Sequence, residues 1–455
     1  MTALRVSGLI GIICTVPWLA VAQRDPAFSR PNVVLIVADD LGYGDLGSYG
    51  APDIRTPNLD RLAREGVRFT DFYANAPVCT PTRAALITGR YQQRVMLERP
   101  LDTGTGPSGA DRGLSVMSRS LPQLVKDAGY ATALIGKWHL GFKPEFHPNS
   151  HGFEYFWGYL AGYIDWYTHV RGDGEPDLWE NEKPVTLDGY FEHEVTARAI
   201  KFIAERAHQP FFIEVAYGAP HWPFQSPHHP SVAVRKLTPT VPTMFQEPAD
   251  PNPPTRRDYV EIVEDVDADI GRILVALRER GLERNTLVIF VSDNGGEWLS
   301  RNAPFFHRKD TLWEGGIRVP AILRWPGVVP AGRTSSQVAI TMDLTATILA
   351  AAGAETRDAK LEGIDLLPLV RGTAPRASRT LFWRVVIPTR QQRAVRSGRW
   401  KLLLDGPQQM LFDVTRDPGE RHDCAADRPD VVRTLKSMIE EWEKDVDGEA
   451  AAIKR

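Results

Sequence analysis

Cysteine is scarce in this chain, with three residues in 455, at positions 14, 79 and 424. So few thiols exclude the disulfide framework on which small secreted scaffolds depend. Charge of one sign is lacking too. Lys and Arg number 54 against 57 Asp and Glu, a net charge of −3, which argues against a nucleic-acid binder with its basic face. Beyond residue 22 no stretch approaches about 18 consecutive apolar residues, so nothing there reads as a membrane span or a stable membrane anchor. Internal repeats are absent as well, which argues against a solenoid or propeller.

The one long apolar run, Leu9 to Val21, follows Arg5 and closes on Ala20-Val21-Ala22. A short basic region, an apolar stretch and an A-x-A site describe a secretory signal peptide over residues 1–22. The mature chain is accordingly expected to be exported, periplasmic or secreted. Its loss of Arg5 makes the net charge one unit more negative, so an anionic substrate must be caught by a local cationic pocket. Loss of Cys14 leaves Cys79 and Cys424, which either join in one disulfide or stay apart with Cys79 reserved for chemistry.

What is present is a globular composition, 43% hydrophobic and 24% charged, long enough for more than one unit. Four apolar runs read as buried strands: Val33–Ala38, Ala131–Ile135, Phe211–Ala216 and Leu287–Val291. Helical patterns lie between them at Pro57–Glu65, Ser120–Ala128, Gly189–Ala207 and Asp258–Gly281. This alternation predicts an α/β fold with a large, mainly parallel sheet flanked by helices. The segment Pro227–Pro254, rich in Pro, His and Thr, predicts a long loop. After Pro368–Arg379 the character changes to short runs at 381–386, 392–396, 400–404 and 410–413, spaced like an antiparallel meander, then a helix at 429–444. The expected division is a catalytic domain over 23–371 and a smaller C-terminal α+β domain over 372–455.

Polar groups follow each strand of the large domain at once. Asp39-Asp40 follows the first, Lys137-Trp138-His139 the second, Gly218-Ala219-Pro220-His221 the third and Asp293-Asn294 the fourth. In open α/β sheets the binding crevice lies at the carboxyl ends of the strands, so these groups are expected to converge. Asp39, Asp40, Asp293 and Asn294 offer oxygen alone, a set suited to Ca²⁺ or Mg²⁺ rather than zinc. Each pair, standing alone, would also serve as a turn cap. Lys137, His139, His221 and Lys309 add cations and imidazoles. Cys79-Thr80-Pro81-Thr82-Arg83 supplies a thiol with a guanidinium one helical turn along, at a loop-to-helix boundary suited to an oxyanion. Together these groups describe a metal-assisted pocket for sulfuryl or phosphoryl transfer.

The run Pro77–Gly89 resembles the sulfatase signature, and Gly129–His139 resembles that family's second signature. Further blocks of resemblance are Asn32–Gly50, Gly218–Phe224, Ser292–Gly296, Lys309–Pro320 and Arg393–Asp423, so the likeness spans residues 31 to 430. It is similar to the type I, formylglycine-dependent sulfatases of the alkaline-phosphatase-like superfamily, in their arylsulfatase and N-acetylgalactosamine-6-sulfatase branch. The resemblance implies that a separate maturase converts Cys79 to formylglycine before folding. It implies one Ca²⁺ on Asp39, Asp40, Asp293, Asn294 and position 79. It implies that Arg83 holds the formylglycine hydrate, that Lys137 and Lys309 bind sulfate oxygens, that His139 acts on the second hydroxyl and that His221 protonates the leaving oxygen. The expected activity is hydrolysis of a glycan or aryl sulfate ester. Two alternatives stand beside it, a phosphatase or phosphonate ester hydrolase of the same superfamily and an inactive sulfated-glycan binder. Tyr163, Trp166, Tyr167 and His169 are candidates to stack on the substrate ring.

Overall fold

The computed structural model describes residues 30–104, 109–116, 119–228, 254–387 and 390–453. The expected signal peptide lies outside the described residues, as does the expected loop apart from its ends. The strands are β1 (Asn32–Ala38), β2 (Val67–Phe69), β3 (Phe72–Tyr73), β4 (Ala131–Lys137), β5 (Tyr155–Tyr159), β6 (Trp179–Glu180), β7 (Lys183–Pro184) and β8 (Phe211–Ala216). They continue with β9 (Thr286–Ser292), β10 (Ala321–Arg324), β11 (Arg333–Ser335), β12 (Ala339–Ile340), β13 (Thr380–Ile387), β14 (Arg390–Ser397), β15 (Trp400–Asp405) and β16 (Gln408–Asp413). The helices are α1 (Pro57–Arg64), α2 (Cys79–Thr88), α3 (Leu121–Asp127), α4 (Phe191–Glu205), α5 (Arg256–Glu279), α6 (Glu314–Ile317), α7 (Thr341–Ala352), α8 (Leu367–Arg371) and α9 (Pro429–Ile453).

A ten-stranded sheet in the order β11-β2-β10-β9-β1-β8-β4-β5-β6-β7 forms the centre. Its middle five strands, β9 to β5, run parallel, while β10 is antiparallel to both β9 and β2. Strand β1 is buried along its whole length because both faces are covered, the reason it reads as an unbroken apolar run. Val34 and Ile36 pack into one layer with Leu59 of α1, Val195 of α4 and Ile270 of α5. Val33, Leu35 and Val37 face the other layer, with Ile87 of α2, Leu124 of α3 and Ile348 of α7. Helix starts follow local chemistry. The Ser120 hydroxyl accepts the Gln123 amide ahead of α3, and Thr255 with Asp258 forms a capping box that begins α5 two residues earlier than the periodicity suggests.

A four-stranded antiparallel sheet, β13-β14-β15-β16, follows in the C-terminal part. The last helix runs nine residues beyond the expected Lys444, to Ile453. Its extension carries Asp445 and Glu449, which pair with Arg94 and Arg90 of the large part. Among the described residues no helix is long and apolar enough to cross a membrane. Cys79 and Cys424 are both free thiols, so the disulfide alternative is not realised.

Two buried polar features bear on stability. Lys401 on β15 is fully buried between Glu314 of α6 and Glu420, at 2.9 and 2.8 Å. Lys401→Met would leave Glu420 without its cation in the interior, while Glu314 keeps Arg318 at 3.0 Å, and should cost about 3–5 kcal/mol of unfolding free energy. A denaturant midpoint that does not move would contradict this. Glu214 on β8 is buried, and burial pushes its carboxyl up to about 7 against the pull of Arg83. Below the ordinary Glu range both states keep the proton. As pH rises towards 7 the unfolded chain ionises while the fold resists, so stability falls. Glu214→Gln should therefore leave stability unchanged near about pH 4 and raise it by up to about 3 kcal/mol above about pH 7. Equal unfolding curves for the two proteins at both pH values would refute the assignment.

Candidate active site

The register of β1 on β9 builds the base of the site. Ala38 pairs with Ser292, so residues 39–40 and 293–294 leave the sheet side by side. The Asp293 amide donates to Ala38 O at 3.1 Å, the Asp40 amide to Asp293 Oδ1 at 3.3 Å and the Leu41 amide to Ser292 Oγ at 3.0 Å. Asp40 takes φ +62°, a left-handed conformation that Asp tolerates better than bulkier residues do. Gly295 admits no side chain, since a Cβ there would lie 2.0 Å from Gly315 O.

Helix α2 begins at Cys79. Pro81 sits in its first turn, where a missing N–H has no intrahelical partner to lose, and Gly89 at φ +67° ends it. All ten of its residues are buried, so the helix start and its free N–H groups point into the protein beside the acids. The Cys79 thiol donates to Asp39 Oδ1 at 3.4 Å. One turn on, Arg83 Nε donates to Asp293 Oδ2 at 3.1 Å and Nη1 to Lys137 O at 3.2 Å. Lys137, the last residue of β4, directs its ammonium onto Asp39 Oδ2. Lys309 Nζ lies 2.6 Å from Asp40 Oδ2 and 3.1 Å from Glu297 Oε1. Each of the three carboxylates thus meets one of the three cations.

The two imidazoles have assignable tautomers. His139 Nε2 lies 3.0 Å from Leu101 O, an acceptor only, so Nε2 carries the proton and the buried Nδ1 has no partner. His221 Nδ1 binds Trp222 O and its Nε2 lies 3.5 Å from Asp40 Oδ2. Burial, reinforced by Lys137, holds His139 well below its usual range. Burial with Lys309 and then Lys137 does the same to His221. Burial and Asp39 push the Cys79 thiol well up, so it rests protonated. Burial also lifts the Asp40 and Asp293 carboxyls; neighbouring acids add to the rise, while Lys309 opposes it at Asp40 and Arg83 at Asp293.

The ten catalytic and metal-ligand candidates of the sequence come together here: Asp39, Asp40, Cys79, Arg83, Lys137, His139, His221, Asp293, Asn294 and Lys309. Ligand atoms of Asp39, Asp40, Cys79 and His221 lie within 4.8 Å of one another. Asn294 Oδ1 is buried without a hydrogen-bond partner, an unmet acceptor beside the acids. Glu297, which the sequence did not mark, belongs to the same cluster. Of the expected stacking residues only Tyr163 reaches the site, its ring stacked at 6.0 Å on His221. Trp166 and His169 are buried, with Trp166 Nε1 donating to Pro223 O at 2.6 Å, and Tyr167 donates its hydroxyl to Ser226 O. Those three side chains are loop core.

The chain matches the Sulfatase family model over residues 31–354 and the model for the C-terminal part of N-sulphoglucosamine sulphohydrolase over residues 303–445. It is 36% identical to the N-acetylgalactosamine-6-sulfatase of Canis lupus familiaris over 365 residues, 75% of this chain and 66% of that protein. It thus spans just under two thirds of that relative's length. Identity to arylsulfatase A of Bos taurus is 34%, over 90% of this chain and 81% of that protein. Among solved structures, that of Ps i-CgsB superposes with a TM-score of 0.80 at 31% identity, covering 91% of this chain and 92% of that one. The same protein has been solved in complex with a neocarrahexaose.

Proposed function

The chain belongs to the sulfatase family, and from that premise we propose that it hydrolyses a sulfate monoester carried by a glycan or an aryl group, after export from the cell. The observation that carries this reading is the set of three buried cations, Arg83, Lys137 and Lys309, gathered around position 79 at a helix start. The likeness to N-acetylgalactosamine-6-sulfatase and to a protein solved with an oligosaccharide supports a sulfated glycan as substrate.

The donor set fits one hard divalent cation, which we assign as Ca²⁺. Asp39, Asp40, Asp293 and Asn294 would hold it together with position 79, and the unpartnered Asn294 Oδ1 and the raised Asp40 and Asp293 carboxyls support that fit. When bound, the cation would neutralise the acids and polarise an oxygen at position 79, leaving the lysines to serve an anion. Cys79 in its encoded form is a buried, protonated thiol and a weak nucleophile. Conversion to formylglycine by a maturase would give position 79 a hydrated aldehyde, with one hydroxyl to attack sulfur and a second to expel sulfate.

The remaining chemistry belongs to the encoded side chains. Lys137 and Lys309 draw the non-bridging sulfate oxygens, and Arg83 holds the oxygen at position 79 against the helix start. Burial and then the two lysines hold His221 low, and an anion between the lysines offsets the second of these and favours the imidazolium, which gives its proton to the leaving oxygen from Nε2. His139, its Nε2 proton fixed by Leu101 O, accepts a proton at Nδ1 from position 79.

Protein made alongside a maturase should cleave an aryl sulfate in preference to the matching aryl phosphate, and Cys79→Ala should abolish that turnover. Preference for the phosphate ester, or turnover surviving in Cys79→Ala, would contradict the reading. Treatment with a chelator should remove activity, and calcium should restore it; turnover unaffected in metal-free protein would refute the cation. His221→Ala should lower kcat by about 10²–10⁴-fold on esters with poor leaving groups and much less on activated aryl sulfates. A uniform loss across leaving groups would remove His221 from proton donation.

A further inference from the structure

Glu297 is a carboxylate in a pocket that has to receive an anion. A like charge there weakens substrate binding unless the group does something else. Its side chain is one-fifth exposed and its Oε1 lies 3.1 Å from Lys309 Nζ. The adjoining main chain reinforces the contact, because the Lys309 amide donates to Gly296 O at 3.2 Å. Gly296 is in turn braced from both sides by the Asn302 carboxamide, which accepts its N–H at 2.9 Å and donates to its O at 3.0 Å. Lys309 is therefore tied to the 296–297 segment by its backbone and by its ammonium together.

We infer that Glu297 is the positioning residue that aims the Lys309 ammonium at the substrate's sulfuryl oxygens, an inference that rests on the sulfatase reading above. The competing anchor is Asp40 Oδ2, 2.6 Å from the same ammonium. Asp40 is shared, however. It accepts Asn294 Nδ2 at 2.5 Å, lies 3.5 Å from His221 Nε2 and belongs to the cation's donor set. Glu297 is the acceptor left to Lys309 once Asp40 is engaged elsewhere. A lysine on a four-carbon stem loses much of its freedom when one charge-assisted bond holds it, so the tether favours binding in one pose.

Simple charge repulsion and positioning predict opposite signs. Calorimetric titration with inorganic sulfate and steady-state kinetics on an aryl sulfate separate them, using matured wild type, Glu297→Ala and Glu297→Gln. Positioning predicts that Glu297→Ala raises both the sulfate Kd and KM by about tenfold. Glu297→Gln, which keeps an oxygen acceptor for the ammonium, should recover part of that loss, with each variant titrated well below its own unfolding midpoint. Sulfate binding equal to or tighter than wild type in both variants would overturn the inference, as would a loss of stability with Kd unchanged. If the variants shift the sulfate Kd as stated but wild type cleaves no sulfate ester, the role of Glu297 stands and the sulfatase reading falls.

Discussion

Three carboxylates cannot share the buried end of two neighbouring strands without positive charge brought among them. The register that pairs Ala38 with Ser292 forces Asp39 and Asp293 together, and the left-handed turn at Asp40 adds a third acid. Most of the surrounding architecture delivers cations to that point. Helix α2 brings Arg83, the end of β4 brings Lys137, and the loop after Gly296 brings Lys309. Such an arrangement is costly to bury and useful only where charge changes hands. A pocket whose cations are balanced by acids, and whose acids suit a metal, can pass its positive charge to an incoming anion.

The C-terminal sheet takes part in this at a distance. Gln392 of β14 accepts the Leu312 amide at 2.8 Å, and Lys401 of β15 holds Glu314 at the start of α6. Trp383 of β13 donates its indole N–H to Ala74 O, five residues ahead of Cys79. The loop that carries Lys309 and the segment leading to Cys79 are thus both braced by residues from beyond position 380. The C-terminal sheet is a support for the site, packed on it through buried ionic groups and an apolar cluster together.

Much of this was legible in the chain itself, for a physical reason. Strands covered on both faces must be apolar throughout, so Val33–Ala38 and Leu287–Val291 stand out, and polar residues at their ends mark where burial stops. The sheet's margins carry no such mark. Val67–Phe69 is three residues long with an arginine in the middle, and β10 gains its antiparallel place from β9 rather than from its own pattern. The far end of α9 was hidden because Asp445 and Glu449 find their arginines some 350 residues away. Trp166 and His169 look like ring-stacking residues in sequence and are core in space. Glu297 was the opposite case: an acid in a Gly-Gly-Glu turn reads as solvated loop until Lys309 is seen beside it.

The central claim is that position 79 works as an aldehyde hydrate rather than as the thiol the chain encodes. Mass spectrometry of the peptide spanning Cys79, from protein purified out of a host with an active maturase, tests it most directly. The account predicts an aldehyde at position 79 in the active fraction, trapped by a hydrazine reagent. Fully active protein that carries an unmodified cysteine there would contradict it.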